Sequence, residues 1–278
     1  MAAQPGNSPA CRARHRLLRR ARHRLRAHVS GYPAVYLPFA RLKYPGPSPE
    51  VISPRTELVI DGYFRSANTF AVYAFQLSQD RPVRLAHHLH APAQMIAAAR
   101  RGIPALLLIR EPHDATLSEL IYEPDVALPD ALAEYCRYYE RLLPWLSSFV
   151  VGEFEQVTHD FGAVIHRLNA RFGTGFAKFT HTDASMRECF ALMKHRGTQA
   201  EIVYGFESGW FTLGQLRREL PALACQPQPP ELREAWIPAG SREHLKGALH
   251  RQWLRPGLAR LRERAQLVYQ EIRAAAGP

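Results

Sequence analysis

Glu57-Leu-Val-Ile60 is an apolar run of strand length. It leads directly into Asp61-Gly-Tyr-Phe-Arg-Ser-Ala-Asn-Thr-Phe70 and then into the helix-compatible Ala71-Val-Tyr-Ala-Phe75. A strand that feeds the first turn of a helix aims several unpaired backbone N–H groups at one point, with the positive end of the helix dipole behind them. Phosphate is the natural occupant of such a turn. Arg65 adds a fixed positive charge, and Ser66, Asn68 and Thr69 add short hydrogen-bonding groups, while the Walker spelling G-x-x-x-x-G-K-[ST] occurs nowhere in the chain. An ordinary polar strand-to-helix connection with a Ser or Asn cap has the same pattern. Residues farther along the chain decide between the two.

From Glu57 onward, strand-length apolar runs alternate with amphipathic stretches of helical length, the pattern of a parallel sheet wrapped by helices. Four strands are expected, at Leu58–Asp61, Val83–Ala86, Ala105–Ile109 and Phe149–Gly152. The third is a continuous Ala-Leu-Leu-Leu-Ile run, suited to a sheet covered on both faces. Helices are expected near 68–78, 92–101, 129–147 and 158–172. After the third strand, Arg110-Glu-Pro-His-Asp114 predicts a turn with an Arg at its mouth and a helix capped by Asp114. Residues 180–240, mixed in Gly, Pro and aromatics, read as a cap of loops and short helices. Ser241 to Ala276 reads as helical, with an interruption at Pro256-Gly257. The expected fold is therefore α/β, a central parallel sheet flanked by helices, with a helical cap and C-terminal helices.

The formal charge of +11 is unevenly spread, because the first acidic residue is Glu50 and ten basic residues precede it. The other 26 basic residues nearly balance the chain's 25 acidic ones, so the basicity belongs to an arm over residues 1–50 rather than to the domain at 51–278. Between Arg12 and Arg26, Leu18, Ala21 and Leu25 share one helical face and arginines cover the rest. Such a helix suits an anionic membrane surface, a nucleic-acid backbone or, in a eukaryotic source, an acid-free transit-like peptide, and no specific nucleic acid is expected. A solvated tail fits equally well. Tyr32-Pro-Ala-Val-Tyr-Leu-Pro-Phe39 is punctuated by proline and is expected to break any helix. No run of 18 apolar residues exists, and the four cysteines, Cys11, Cys136, Cys189 and Cys225, form no C-x-x-C pair. A soluble chain in a reducing cytosol, with cysteines as apolar filler and no metal, is the expectation.

In an open parallel sheet, ligands sit beyond the carboxyl ends of the strands, so the turns after the first and third strands can meet on one ligand with two separated phosphates. Here the residues resemble the sulfotransferases that use 3′-phosphoadenosine 5′-phosphosulfate. Tyr63-Phe-Arg-Ser-Ala-Asn-Thr-Phe70 is similar to their 5′-phosphosulfate loop, and Arg110 with Ser118 has the spacing of their 3′-phosphate pair. His88-Leu-His-Ala-Pro92 looks like the segment that carries the family's catalytic histidine, and Phe154-Glu-Gln-Val157 like the one after its fourth strand. The likeness covers about residues 57–172.

The resemblance implies a sulfotransferase fold akin to that of the P-loop nucleotide enzymes. It also implies transfer of a sulfuryl group to a hydroxyl or amine of a small molecule, glycan or lipid. Arg65 would hold the 5′-phosphate and offset leaving-group charge, within a cradle of Ser66, Ala67, Asn68 and Thr69. Arg110 and Ser118 would hold the 3′-phosphate, with Arg196 of Lys194-His-Arg-Gly197 as a third ligand, and Phe70 and Phe154 would pack on the adenine. The base would be His90, with its following x-Pro, or His88, which better matches the spacing to Arg110. Ala67 and Asn68 stand where the family has Gly and Thr. A nucleotide-dependent kinase is the second reading, against which the missing Walker lysine and magnesium ligands count. A catalytically degenerate relative that binds through its basic arm is the third.

Overall fold

The structure is a computed structural model that describes residues 20–44, 51–195, 206, 212–224 and 243–276. Its sheet has four parallel strands, β1 (Leu58–Gly62), β2 (Leu85–His87), β3 (Ala105–Ile109) and β4 (Val150–Glu153), in the order β2-β1-β3-β4. All four expected strands are present, with β2 and β4 displaced by one or two residues. Alternate side chains enter opposite layers. Leu58, Ile60, Leu106 and Leu108 pack with Phe75, Val164, Leu168 and Cys189, whereas Val59, Leu107, Ile109 and Val151 pack with Met95, Leu132, Tyr135 and Ile272. Burial on both faces is why these strands read as unbroken apolar runs, and each fully buried Leu or Ile contributes about 1.5–3 kcal/mol.

The first helix, α1, covers residues 20–29, and α2 is Pro33–Lys43. Next come α3 (Asn68–Ser78), α4 (Pro92–Arg101) and α5 (Pro112–Tyr122), each in a crossover between neighbouring strands or following one. The helix expected at 129–147 divides into α6 (Leu128–Glu140) and a 3-10 turn at Leu143–Ser148, because Pro144 has no N–H to continue the ladder. The helix expected at 158–172 begins at Phe161 as α8 (Phe161–Phe172), and an unexpected short helix, α7 (Phe154–His159), precedes it, with Asp160 between them accepting from the Ala163 N–H. Beyond these lie α9 (Asp183–His195) and helices at Leu213–Ala224, Glu243–Trp253 and Ala259–Ala274, the last two separated at Pro256–Leu258 as expected.

Three local readings are corrected. The cap of α5 is Glu111, whose side chain accepts from the Asp114 N–H at 3.1 Å, so Asp114 lies one turn inside rather than at the cap. Pro33 starts α2 instead of ending a helix, and Pro38 is carried inside it, because the helix is held by tertiary packing of Tyr36, Leu37 and Ala40 in the core. On α1, the predicted apolar face is the solvent face, since Ala21 and Leu25 are exposed. The side that packs carries Arg20, His23 and Arg26 together with Ala27 and Val29. From residue 20 the segment assigned to an arm is built into the wall of the domain.

Cys136 and Cys189 are buried among apolar side chains, and burial pushes their thiols up to about 11 and about 12. No helix among the described residues is long and apolar enough to cross a membrane.

Candidate anion and histidine site

The turn between β1 and α3 begins at Gly62, where an added Cβ would lie 2.3 Å from the Leu108 carbonyl oxygen of β3. Only glycine lets the strands meet there. Tyr139 then pins the turn: its hydroxyl donates to the Leu108 carbonyl at 2.8 Å and accepts from the Tyr63 N–H at 3.3 Å. Asn68 closes the loop by donating from Nδ2 to the Tyr63 carbonyl at 3.0 Å. Arg65 and Ala67 both adopt left-handed backbone, at φ 62° and 65°. Ala67 is also the N-cap of α3 and offers no side chain to its first N–H groups. The helix therefore presents an uncapped amino end at the carboxyl edge of the sheet, beside Arg65, an arrangement that favours an anion.

Ala67 keeps the conformation that glycine would adopt without strain. A β-carbon in this region costs about 1–2 kcal/mol, partly offset by the smaller backbone entropy of alanine in the unfolded chain. Ala67→Gly is expected to raise stability by about 0.5–1 kcal/mol in chemical unfolding. A loss of stability would mean that the methyl group contributes packing that outweighs the strain.

The turns after β1 and β3 meet. Arg65 Nε donates to Ser118 Oγ at 3.0 Å, and Arg110 Nη1 donates to the Arg65 carbonyl at 3.1 Å. Arg110 lies 4.0 Å above the centre of the Phe154 ring, a cation–π contact, and Arg65 stands 5.5 Å from that of Tyr122. Burial pulls the Arg110 guanidinium down from its usual value, against the opposing pull of Asp114, Glu155 and Glu111. Ser66 is fully buried, with its hydroxyl 3.5 Å from that of Tyr139.

Two expected adenine-packing rings are placed differently from each other. Phe154 is half-buried beneath Arg110, whereas Phe70 is buried in the core against Phe179 and Phe190. Arg196 lies outside the described residues.

The histidines follow β2. His88 and His90 have φ of 57° and 50°, so with Arg65 and Ala67 they are the four non-glycine residues with positive φ among those described. All four sit beyond the carboxyl ends of β1 and β2. Such strained backbone persists only where its surroundings hold it, and it concentrates at working sites. His88 is engaged at both ring nitrogens by its own neighbours, with Nε2 3.1 Å from Thr69 Oγ1 and Nδ1 2.6 Å from His87 Nδ1. His90 Nδ1 is 2.9 Å from the Gly62 carbonyl, which can only accept, so Nδ1 carries the proton and Nε2 is the basic atom. The His90 backbone N–H donates to Asp61 at 3.1 Å. Burial pushes that carboxyl up to about 7, against the lowering effect of hydrogen bonds from Gly62 and His90 and the charge of Arg26.

Behind the histidine loop is an ionic network that sequence reasoning missed. Arg26 of α1 donates from Nη1 to Glu134 Oε1 at 2.8 Å and from Nη2 to the Leu89 and His90 carbonyls at 3.0 Å each. His23 Nε2 is 2.7 Å from Glu134 Oε2 and 3.7 Å from Glu119 Oε1. The Tyr63 hydroxyl hydrogen-bonds to Glu119, one residue after Ser118. His23, Glu119 and Glu134 also have the mutual spacing of a metal-ligand set, yet with Arg26 their formal charges already balance, and they act as an ion-pair cluster. Nothing in the sequence distinguishes Arg26 from the seven other arginines between Arg12 and Arg26.

Fold and site together define a parallel α/β protein with a cluster of arginines and histidines at the carboxyl ends of its strands. In comparisons with known proteins, the chain matches no family model, no curated protein and no solved structure.

Proposed function

We propose that the chain is a sulfotransferase that moves a sulfuryl group from 3′-phosphoadenosine 5′-phosphosulfate to a hydroxyl or amine. The observation that carries this reading is the meeting of Arg65, Arg110 and Ser118 beyond adjacent strands β1 and β3, next to the histidine loop of β2. Two guanidinium groups beside an uncapped helix suit a ligand with more than one phosphate. The donor supplies the sulfuryl group. Arg65 and the α3 amino end would hold its 5′ side, and Arg110 with Ser118 its 3′-phosphate.

Sulfuryl transfer, like phosphoryl transfer, depends on in-line positioning and on stabilising charge at the transferring group. The acceptor oxygen or nitrogen forms a bond to sulfur as the sulfur–oxygen bond to the 5′-phosphate breaks. His90 Nε2 takes the acceptor's proton, and Arg65 offsets the charge that develops on the departing phosphate. The Gly62 carbonyl fixes the proton of His90 on Nδ1 and so makes Nε2 the accepting atom, which favours His90 for this role.

The binding half of the reading is tested by thermal unfolding with 3′,5′-adenosine bisphosphate. At a hundredfold excess over Kd, stabilisation is about 2.7 kcal/mol, a shift of several degrees. An unmoved transition with the bisphosphate, together with a shift by ATP and magnesium, would instead support the kinase reading. An acceptor screen with labelled donor then tests turnover.

A further inference from the structure

The residues of α2 divide sharply by side. Tyr36, Leu37 and Ala40 are buried in the core, whereas Ala34, Val35, Pro38, Phe39 and Leu42 face outward, with Val35 60%, Phe39 66% and Leu42 81% exposed. Arg41 and Lys43 are the remaining exposed residues of this helix. At about 100° per residue these two cations fall on opposite edges of the outward apolar face. A surface helix of a globular protein normally turns its polar side to water, and this one has apolar side chains on both its faces. No Asp or Glu lies in α2 or precedes Glu50 in the sequence, so Arg41 and Lys43 have no acidic neighbour along this part of the chain.

We propose that the outward face of α2 docks on an anionic lipid surface, with Val35, Phe39 and Leu42 entering the headgroup boundary and Arg41 and Lys43 meeting lipid phosphates. Charge complementarity selects this occupant. Two copies of the chain joined through this face would bring their Arg41 and Lys43 side chains together and repel. A nucleic-acid backbone would satisfy the cations but gain little from exposed Val, Phe and Leu side chains. A lipid interface uses both, because apolar side chains partition into it while Lys and Arg bind its anionic headgroups. The inference is independent of the sulfotransferase reading.

The test is co-sedimentation of the full chain with vesicles of phosphatidylcholine alone or with phosphatidylserine, with Phe39→Asp/Leu42→Asp as the variant. Binding to the anionic vesicles should exceed that to neutral ones by about tenfold or more and should weaken at high salt. The double variant should lose at least about tenfold in binding, while its Tm without lipid stays at the parent value. Phe39→Trp should shift its emission to the blue when anionic vesicles are added.

Equal binding to both vesicle types, or none, overturns the proposal. So does vesicle binding that survives the double variant. A fall in Tm on making the variant without lipid would show that the chain itself covers this face. Self-association abolished by the same substitutions would assign the face to a second copy, and RNA binding abolished by them would assign it to nucleic acid.

Discussion

Glu134→Ala is expected to destabilise the chain by about 3–5 kcal/mol, the usual effect of removing one partner from a buried ionic cluster. Glu134 is 3% exposed, accepts from Arg26 and lies 2.7 Å from His23 Nε2 as an ion pair. Without it, Arg26 retains the Leu89 and His90 carbonyls, which do not balance its charge, and the imidazolium of His23 faces only Glu119. Burial disfavours the charged form of His23, but the contacts with Glu119 and Glu134 outweigh it and hold the group up to about 10. A histidine raised in the folded state contributes stability that is complete below its ordinary value of about 6.5 and is lost as pH rises through the folded value. The parent should therefore lose stability between about pH 6.5 and 10, and Glu134→Ala should show a flatter profile there. Urea unfolding across that window measures both effects. An unchanged midpoint in the variant would show that the cluster contributes nothing net to folding.

His90→Asn is expected to lower turnover by about 10²–10⁴-fold, the usual contribution of a general base. The titration midpoint for 3′,5′-adenosine bisphosphate should stay where it is, because no predicted phosphate contact passes through the His90 ring. His88→Asn should have a smaller effect on turnover and a larger one on the Thr69 side of the turn, to which its ring is bonded. The reverse ranking, with His88→Asn inactive and His90→Asn active, would move the base to His88. Lost nucleotide binding in His90→Asn would recast the histidine as a structural support of the turn at Gly62.

The strands were legible because each is buried on both faces and so appears as a local apolar run, as in Ala105–Ile109. Helices were less sharply bounded. A period-3.6 pattern continues smoothly through 129–147, and the break after Glu140 depends on one missing N–H at Pro144. Arg65 and Arg110 could be singled out because each follows a recognisable strand at a short distance, whereas Ser118 stood out only through the likeness of its spacing from Arg110 to the family's 3′-phosphate pair. Their contact with one another required the sheet order.

Contacts such as Arg26 with Glu134, 108 residues apart, leave no periodic trace, and the arginine-rich stretch conceals the one guanidinium that supports the histidine loop. Positive φ at His88 and His90 was also hidden, because no glycine marks it. The opposite error arose at Phe70. Its place in the motif suggested a ligand-facing ring, but one turn into α3 its direction is inward, toward Phe179.

Gly62 sits opposite Leu108 in the β1–β3 register, at a separation that no side chain could share. The gap between the turn carrying Arg65 and the one carrying Arg110 is thus a ruler made of main chain, with the fixed interstrand spacing of about 4.8 Å as its unit. Enlarging residue 62 would recalibrate that ruler, changing which pairs of negative charges the cluster can span while leaving both arginines in place.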